Sequence, residues 1–103
     1  MAGFTFEHIH LRSPDPEATA RFYEKMFDAR IVRTMLDGKP RVELELGGML
    51  IFIAEVAPDG KTAAPPISPY QGLDHFGLTV NGIDAVVAEL KAKGAEITHQ
   101  PRT

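Results

Sequence analysis

Glu7-His8-Ile9-His10-Leu11 returns 67 positions later as Asp74-His75-Phe76-Gly77-Leu78. Each copy is an acidic residue, a histidine and a bulky apolar residue, then one variable position and a leucine. As a β-strand, the first copy turns His8 and His10 to one face with Phe6 and Arg12, and Ile9 and Leu11 to the other, because successive side chains alternate. The second copy turns His75, Gly77 and Thr79 one way and Phe76, Leu78 and Val80 the other. Both strands therefore bury an apolar face and present a histidine on the opposite one.

Each copy is followed by a helical pattern. After the strand at residues 4–12, Ser13-Pro14-Asp15-Pro16-Glu17 places Asp15 as a helix cap, Pro16 at the first helical position and Glu17 at the positive end of the dipole. The spacing of Thr19, Phe22, Tyr23, Met26 and Phe27 predicts one buried stripe on a helix ending near Phe27. Ala29–Leu36 and Pro40–Leu46 then form a hairpin about Asp37-Gly38. In the second of these strands Val42, Leu44 and Leu46 alternate with Arg41, Glu43 and Glu45, giving one covered and one wet face. Gly47-Gly48 turns the chain into Met49–Val56, apolar on both faces except Glu55 and so expected to be central and buried on both sides.

Ala57–Gly72 holds four prolines and two glycines in sixteen residues, without helical or strand period, and reads as a connector or flap. The repeated strand at Leu73–Val80 follows, then a helix opened by Asn81 or Gly82 with Ile83, Val86, Val87 and Leu90 as its stripe, and a strand start at Ala95–Thr98. Phe27-Asp28-Ala29-Arg30-Ile31 answers Lys93-Gly94-Ala95-Glu96-Ile97 at an offset of 66. The organisation is one domain: module one at 4–56, a linker at 57–72 and the start of module two at 73–103. The second module stops at Gln100-Pro101-Arg102-Thr103, before any counterpart of the hairpin, so its remaining strands are expected beyond Thr103.

A length of 103 residues supports one modest core, and 44% hydrophobic with 24% charged residues argues against a disordered or fibrous chain. Net charge is −3 with pI near 5.7, and the basic residues are scattered, which discounts nucleic acid and anionic membranes as partners. No apolar run approaches the ~20 residues needed to span a bilayer, and the first residues have no basic segment leading an apolar one, so the expected location is cytoplasmic. Without cysteine, any metal must be held by histidine, carboxylate or water. Two strand–helix–three-strand units make two sheets that can face each other and close a cup. Matching histidines on the two inner faces are then candidate ligands.

His8-Ile9-His10-Leu11, Asp15-Pro16-Glu17 and Phe22-Tyr23-Glu24-Lys25-Met26-Phe27, together with Leu73-Asp74-His75-Phe76-Gly77-Leu78-Thr79-Val80, resemble the two module openings of the glyoxalase/bleomycin resistance/dioxygenase family, also called the vicinal oxygen chelate superfamily. The resemblance implies an α+β fold of paired βαβββ modules forming a cup-shaped mixed sheet, the second module being incomplete here. It implies His8 and His75 as ligands of a divalent transition metal (Fe, Zn, Ni, Mn or Co), with a small-molecule substrate chelated through vicinal oxygens. His10, two residues from His8 on the same face, is the candidate catalytic base or substrate contact, against the alternative of a histidine that only packs in the core or supports the ligands. Glyoxalase-I-like members add a glutamate from the last strand of module one, but the matching position here is Phe52. Glu55, three residues on, falls on the opposite face. The remaining family ligand, a glutamate on the final strand, is expected beyond Thr103; two histidines and one late glutamate resemble the facial triad of the extradiol dioxygenase branch. The main reading is thus a metal-dependent lyase or dioxygenase-like enzyme. The alternative is a metal-free protein of the same fold that encloses an antibiotic-like small molecule. Arg12 is a candidate partner for an anionic substrate at the cup mouth, and sheet edges needing cover point to a homodimer.

Overall fold

A computed structural model of the chain describes residues 3–102; the expectations that touch Met1, Ala2 and Thr103 lie outside the described residues. The chain forms two compact units, one up to Pro58 and one from Asp59 on. The first unit holds β1 (His8–Ser13), α1 (Pro16–Phe27), β2 (Arg30–Leu36), β3 (Lys39–Leu46) and β4 (Met49–Glu55). This is the expected βαβββ order, and the strands lie in one mixed sheet in the order β1-β4-β3-β2. β1 runs parallel to β4, with His10 opposite Phe52, and the other pairs are antiparallel.

Local chemistry sets these boundaries. Asp15 caps α1 by accepting from the Ala18 N–H at 3.1 Å, and Pro16 opens the helix, where its missing donor costs nothing. The buried Ser13 side chain ties the end of β1 to α1: its Oγ pairs with Thr19 Oγ1 at 2.7 Å and accepts from the Asp15 N–H at 3.0 Å. Both hairpins use two-residue turns with positive φ at each central position, Asp37 and Gly38 (52° and 76°) and Gly47 and Gly48 (57° and 84°). Those signs match the twist of paired strands.

The core lies between α1 and one face of the sheet. It consists of Ala20, Ala29, Val42, Leu44, Ile51 and Ile53, with Ile9, Leu11, Tyr23 and Ile31 packed around them. Leu44 and Ile51 are directly opposite each other on β3 and β4 and fully buried; sealing each stabilises the fold by roughly 1.5–3 kcal/mol. Two expectations change. Phe22 is not in the helix stripe that meets the sheet: it stays about half exposed, while Ala20 and Met26 are buried. The helical period continues through Ala20 and Tyr23, which leaves Phe22 turned away by one step. β4 is interior to the sheet but buried on one face only, with Ile51 and Ile53 covered and Leu50, Phe52 and Ala54 half-exposed, because α1 packs on a single side.

In the second unit, α2 (Ile83–Ala92) forms as expected, opened by Gly82 at φ 71°. Val86, Val87 and Leu90 are its half-buried stripe. The repeat is visible in the backbone: Asp28 ends α1 at φ 57°, and its counterpart Gly94 follows α2 at φ 96°. The strands expected at Leu73–Val80 and Ala95–Thr98 do not form, and 57–72 carries turns and bends only. A strand requires neighbours for its N–H and C=O groups, and this unit contains one helix and no ladder among the described residues.

An ion pair links α1 to β2: Arg33 Nε and Nη2 donate to Glu17 Oε1 and Oε2, each at 2.8 Å. The hydrogen bond from Arg33 holds the Glu17 carboxyl below the ordinary glutamate value. A lowered folded-state value contributes stability above the unfolded value, lost as pH falls through the folded one. Glu17→Gln is therefore expected to lower the urea midpoint at pH 7, and the gap from the parent chain should close as pH falls below 4. A gap that persists undiminished at pH 2 would show that the pair contributes nothing through its charge.

Candidate functional site

The sheet face away from α1 reads as three cross-strand rows. β1, β4, β3 and β2 supply in turn His8, Leu50, Glu45 and Arg30 to the first, and His10, Phe52, Glu43 and Val32 to the second. Arg12, Ala54, Arg41 and Thr34 form the third, Arg41 lying one step beyond the paired Val42 and Ile53. The alternation that buries Ile9, Leu11, Val42, Leu44, Ile51 and Ile53 under α1 forces this set outward. His8 and His10 therefore share a face, as the sequence predicts.

Phe52 is the centre of that face. The His8 imidazole stacks on it at 4.5 Å between centroids with 29° between planes, and His10 meets it edge-on at 6.5 Å. From the strand on the other side, the Arg41 guanidinium carbon sits 4.0 Å from the ring centre. A stacked cation of this kind contributes about 0.5–2 kcal/mol, depending on how far water is excluded. Arg41 Nε also pairs with Glu43 Oε1 at 3.1 Å, in the less exposed of the two ion pairs on this face; Arg30 and Glu45 make the other at 2.6 Å. Period two in Arg41-Val42-Glu43-Leu44-Glu45 was enough to put Arg41 outward, but its seat on Phe52 depends on strand order, which no local pattern encodes.

Each candidate ligand is tied to the acidic residue before it. His8 Nδ1 lies 3.1 Å from Glu7 Oε1, and in the second unit His75 Nδ1 lies 2.6 Å from Asp74 Oδ2. An ionised carboxylate only accepts, so in a neutral imidazole paired this way Nδ1 donates and Nε2 offers its lone pair, the arrangement typical of metal-binding histidine. The donor chemistry fits a transition metal at both positions. No group of three histidine, aspartate or glutamate residues gathers in a metal-sized cluster among the described residues. Glu55 lies on the α1 side, opposite Ser13, and lines a hollow of about 360 Å³ with Pro14, Glu17 and Pro40. A second hollow, of about 430 Å³, opens beside Asp28, Arg30 and the Gly47-Gly48 turn. Neither is lined by His8, His10 or Phe52.

The profile of the Glyoxalase/Bleomycin resistance protein/Dioxygenase superfamily matches residues 5–103. The chain belongs to this superfamily. Comparison with curated protein sequences gives no match, whereas solved structures give several. A protein from the mobile metagenome of V. pseudocholerae is 22% identical with a TM-score of 0.73, over 99% of this chain and 76% of the other. Virulence protein STM3117 from Salmonella typhimurium is 24% identical with a TM-score of 0.71, over 99% and 78%. The E126Q mutant of the fosfomycin resistance protein FosX from Listeria monocytogenes, complexed with Mn(II) and 1S,2S-dihydroxypropylphosphonic acid, is 20% identical with a TM-score of 0.62, over 100% and 74%. At these identities the likeness shows the superfamily fold. No helix among the described residues is long and apolar enough to cross a membrane.

The stack on Phe52 has a direct spectroscopic signature. The His8 ring protons are expected upfield of those of His75, whose side chain is 80% exposed, because they lie in the ring current of Phe52. Phe52→Leu should move the His8 signals downfield and leave those of His75 in place; identical His8 shifts in the two proteins would refute the stack.

Proposed function

We propose that this superfamily member is a small metal-dependent enzyme of the lyase or dioxygenase type, with His8 and His75 as ligands of a divalent transition metal and His10 as the adjacent base or substrate contact. The observation that carries this reading is the twice-repeated acid–histidine pair, in which each imidazole Nδ1 lies within hydrogen-bond distance of the carboxylate before it. Two imidazoles become metal ligands more readily when the proton is fixed on the far nitrogen. A bound metal would supply Lewis acidity toward two neighbouring oxygens of a small substrate. His10 stands one residue beyond Ile9 on the His8 face, where it can take a proton from, or return one to, a substrate lying on that face. The modules assigned are 4–56 and 73 onward, joined by 57–72.

Phe52 supports a second reading. The side chain at the position where glyoxalase-I-like relatives are expected to carry a carboxylate is an aromatic ring held by His8 and Arg41. A face of that chemistry also suits a metal-free protein of the same fold that encloses an antibiotic-like small molecule.

Metal analysis separates the two. The enzyme reading expects near-stoichiometric Fe, Zn, Ni, Mn or Co in protein prepared without chelator, reduced severalfold by His8→Ala and again by His75→Ala. A metal-free protein whose stability is indifferent to both changes and to added metal would sink it and leave the binding protein. The homodimer rests on β1 and β2, which are the sheet's edge strands and leave N–H and C=O groups open to pairing. Light scattering is expected to give twice the chain mass, and a monomer at all concentrations would remove that assignment.

A further inference from the structure

The third row of the open face differs from the other two: Arg12, Ala54, Arg41 and Thr34 include two cations and no carboxylate. Arg12 and Arg41 stand two strands apart, so their Cα atoms are roughly 9–10 Å from each other. The short Ala54 side chain between them leaves a notch into which both long side chains can converge. Arg41 is oriented for such a role. Its guanidinium carbon lies over the Phe52 ring and its Nε pairs with Glu43, which leaves the two Nη groups at the tip. Among the described residues, those Nη groups have no protein acceptor, and Arg12 makes neither an ion pair nor a side-chain hydrogen bond.

We propose that this notch is a carboxylate-binding site, in which the Nη edge of Arg41 and the guanidinium of Arg12 hold the anionic end of a small organic ligand. The rest of that ligand then extends along the open face past the edge of Phe52 toward His8. A planar, singly charged group fits better than a dianion: two parallel N–H groups match the two oxygens of a carboxylate, and Glu43 beside Arg41 repels a second negative charge. The assignment deepens the functional reading by naming the substrate class. It rests on this face being the ligand surface and not on a metal being present.

The test uses the full chain in EDTA, titrated with benzoate and with the neutral isostere benzamide and followed by amide chemical shifts. Benzoate is expected to move the resonances of Thr34, Arg41 and Ala54, and benzamide to leave them in place. A charged hydrogen bond contributes about 1.5–3 kcal/mol, so Arg41→Gln should weaken benzoate binding by about tenfold to a hundredfold. Arg41→Lys should recover part of the loss, and Arg30→Gln, in the first row, should change nothing. Arg12→Gln carries the same test at a side chain without protein partners, so a folding defect at Arg41 does not decide the outcome. Equal response to benzoate and benzamide, or unaltered benzoate affinity in Arg12→Gln and Arg41→Gln, would overturn the proposal. Benzoate binding that survives in a protein unable to take up metal would overturn the enzyme reading and keep this one; metal uptake without a benzoate response would do the reverse.

Discussion

Leu44 and Ile51 face each other across the β3–β4 ladder and are sealed beneath α1. That pair fixes what every other side chain in the sheet can do. Strand side chains alternate without exception over such short spans, so placing these two inward places Glu43, Glu45, Leu50 and Phe52 outward, and a slip of one residue would reverse all of them. The parallel register of β1 on β4 passes the same constraint to the first strand: Ile9 joins Ile51 inside, and His8 and His10 emerge beside Leu50 and Phe52. The chemistry of the outer face is thus a by-product of burying the inner one.

Most of this was legible from local pattern. Alternation in Arg41-Val42-Glu43-Leu44-Glu45, the two turns with consecutive positive-φ positions, and the Asp15-Pro16 helix start each depend on residues close in sequence, where sterics and capping act directly. The same logic put Glu55 on the wrong face to serve beside His8, and the register agrees. Legibility ended where partners distant in sequence decide. Phe22 fits an apolar helix stripe, but whether it meets the sheet depends on how α1 is rotated over Val42 and Ile53. Leu73–Val80 has the composition of a strand, yet a strand exists only when another backbone accepts its hydrogen bonds. Even the repeat, which ties His75 to His8 by position, conveys nothing about the acceptors each will find.

Phe52 shows why a motif read by position needs its neighbours before it is read by function. In isolation it is a missing carboxylate. In the sheet it is the common support of His8, from β1, and Arg41, from β3, with His10 at its edge. The ring gives the imidazole a defined seat, and Glu7 lies within hydrogen-bond distance of its Nδ1; the orientation of one histidine is therefore set by two different residues. Such support is what a side chain needs if its geometry is to survive thermal motion.

Phe52 and Arg41 are consequently one choice rather than two. A carboxylate at position 52 would lie beside the same guanidinium, now 4.0 Å from the ring centre, and the two would form an ion pair. That pair would draw electron density away from any metal and would occupy the Nη edge that a bound carboxylate needs. With a neutral ring at 52, the guanidinium is held over that ring and by Glu43, while its Nη groups have no acceptor among the described residues. With phenylalanine at position 52 the face has one carboxylate fewer than the glyoxalase-I-like pattern, which leaves the Arg41 tip open to the anionic group proposed for it. On the proposed reading one ligand spans both ends of the face, its anionic end at the Arg12–Arg41 row and its other end toward His8.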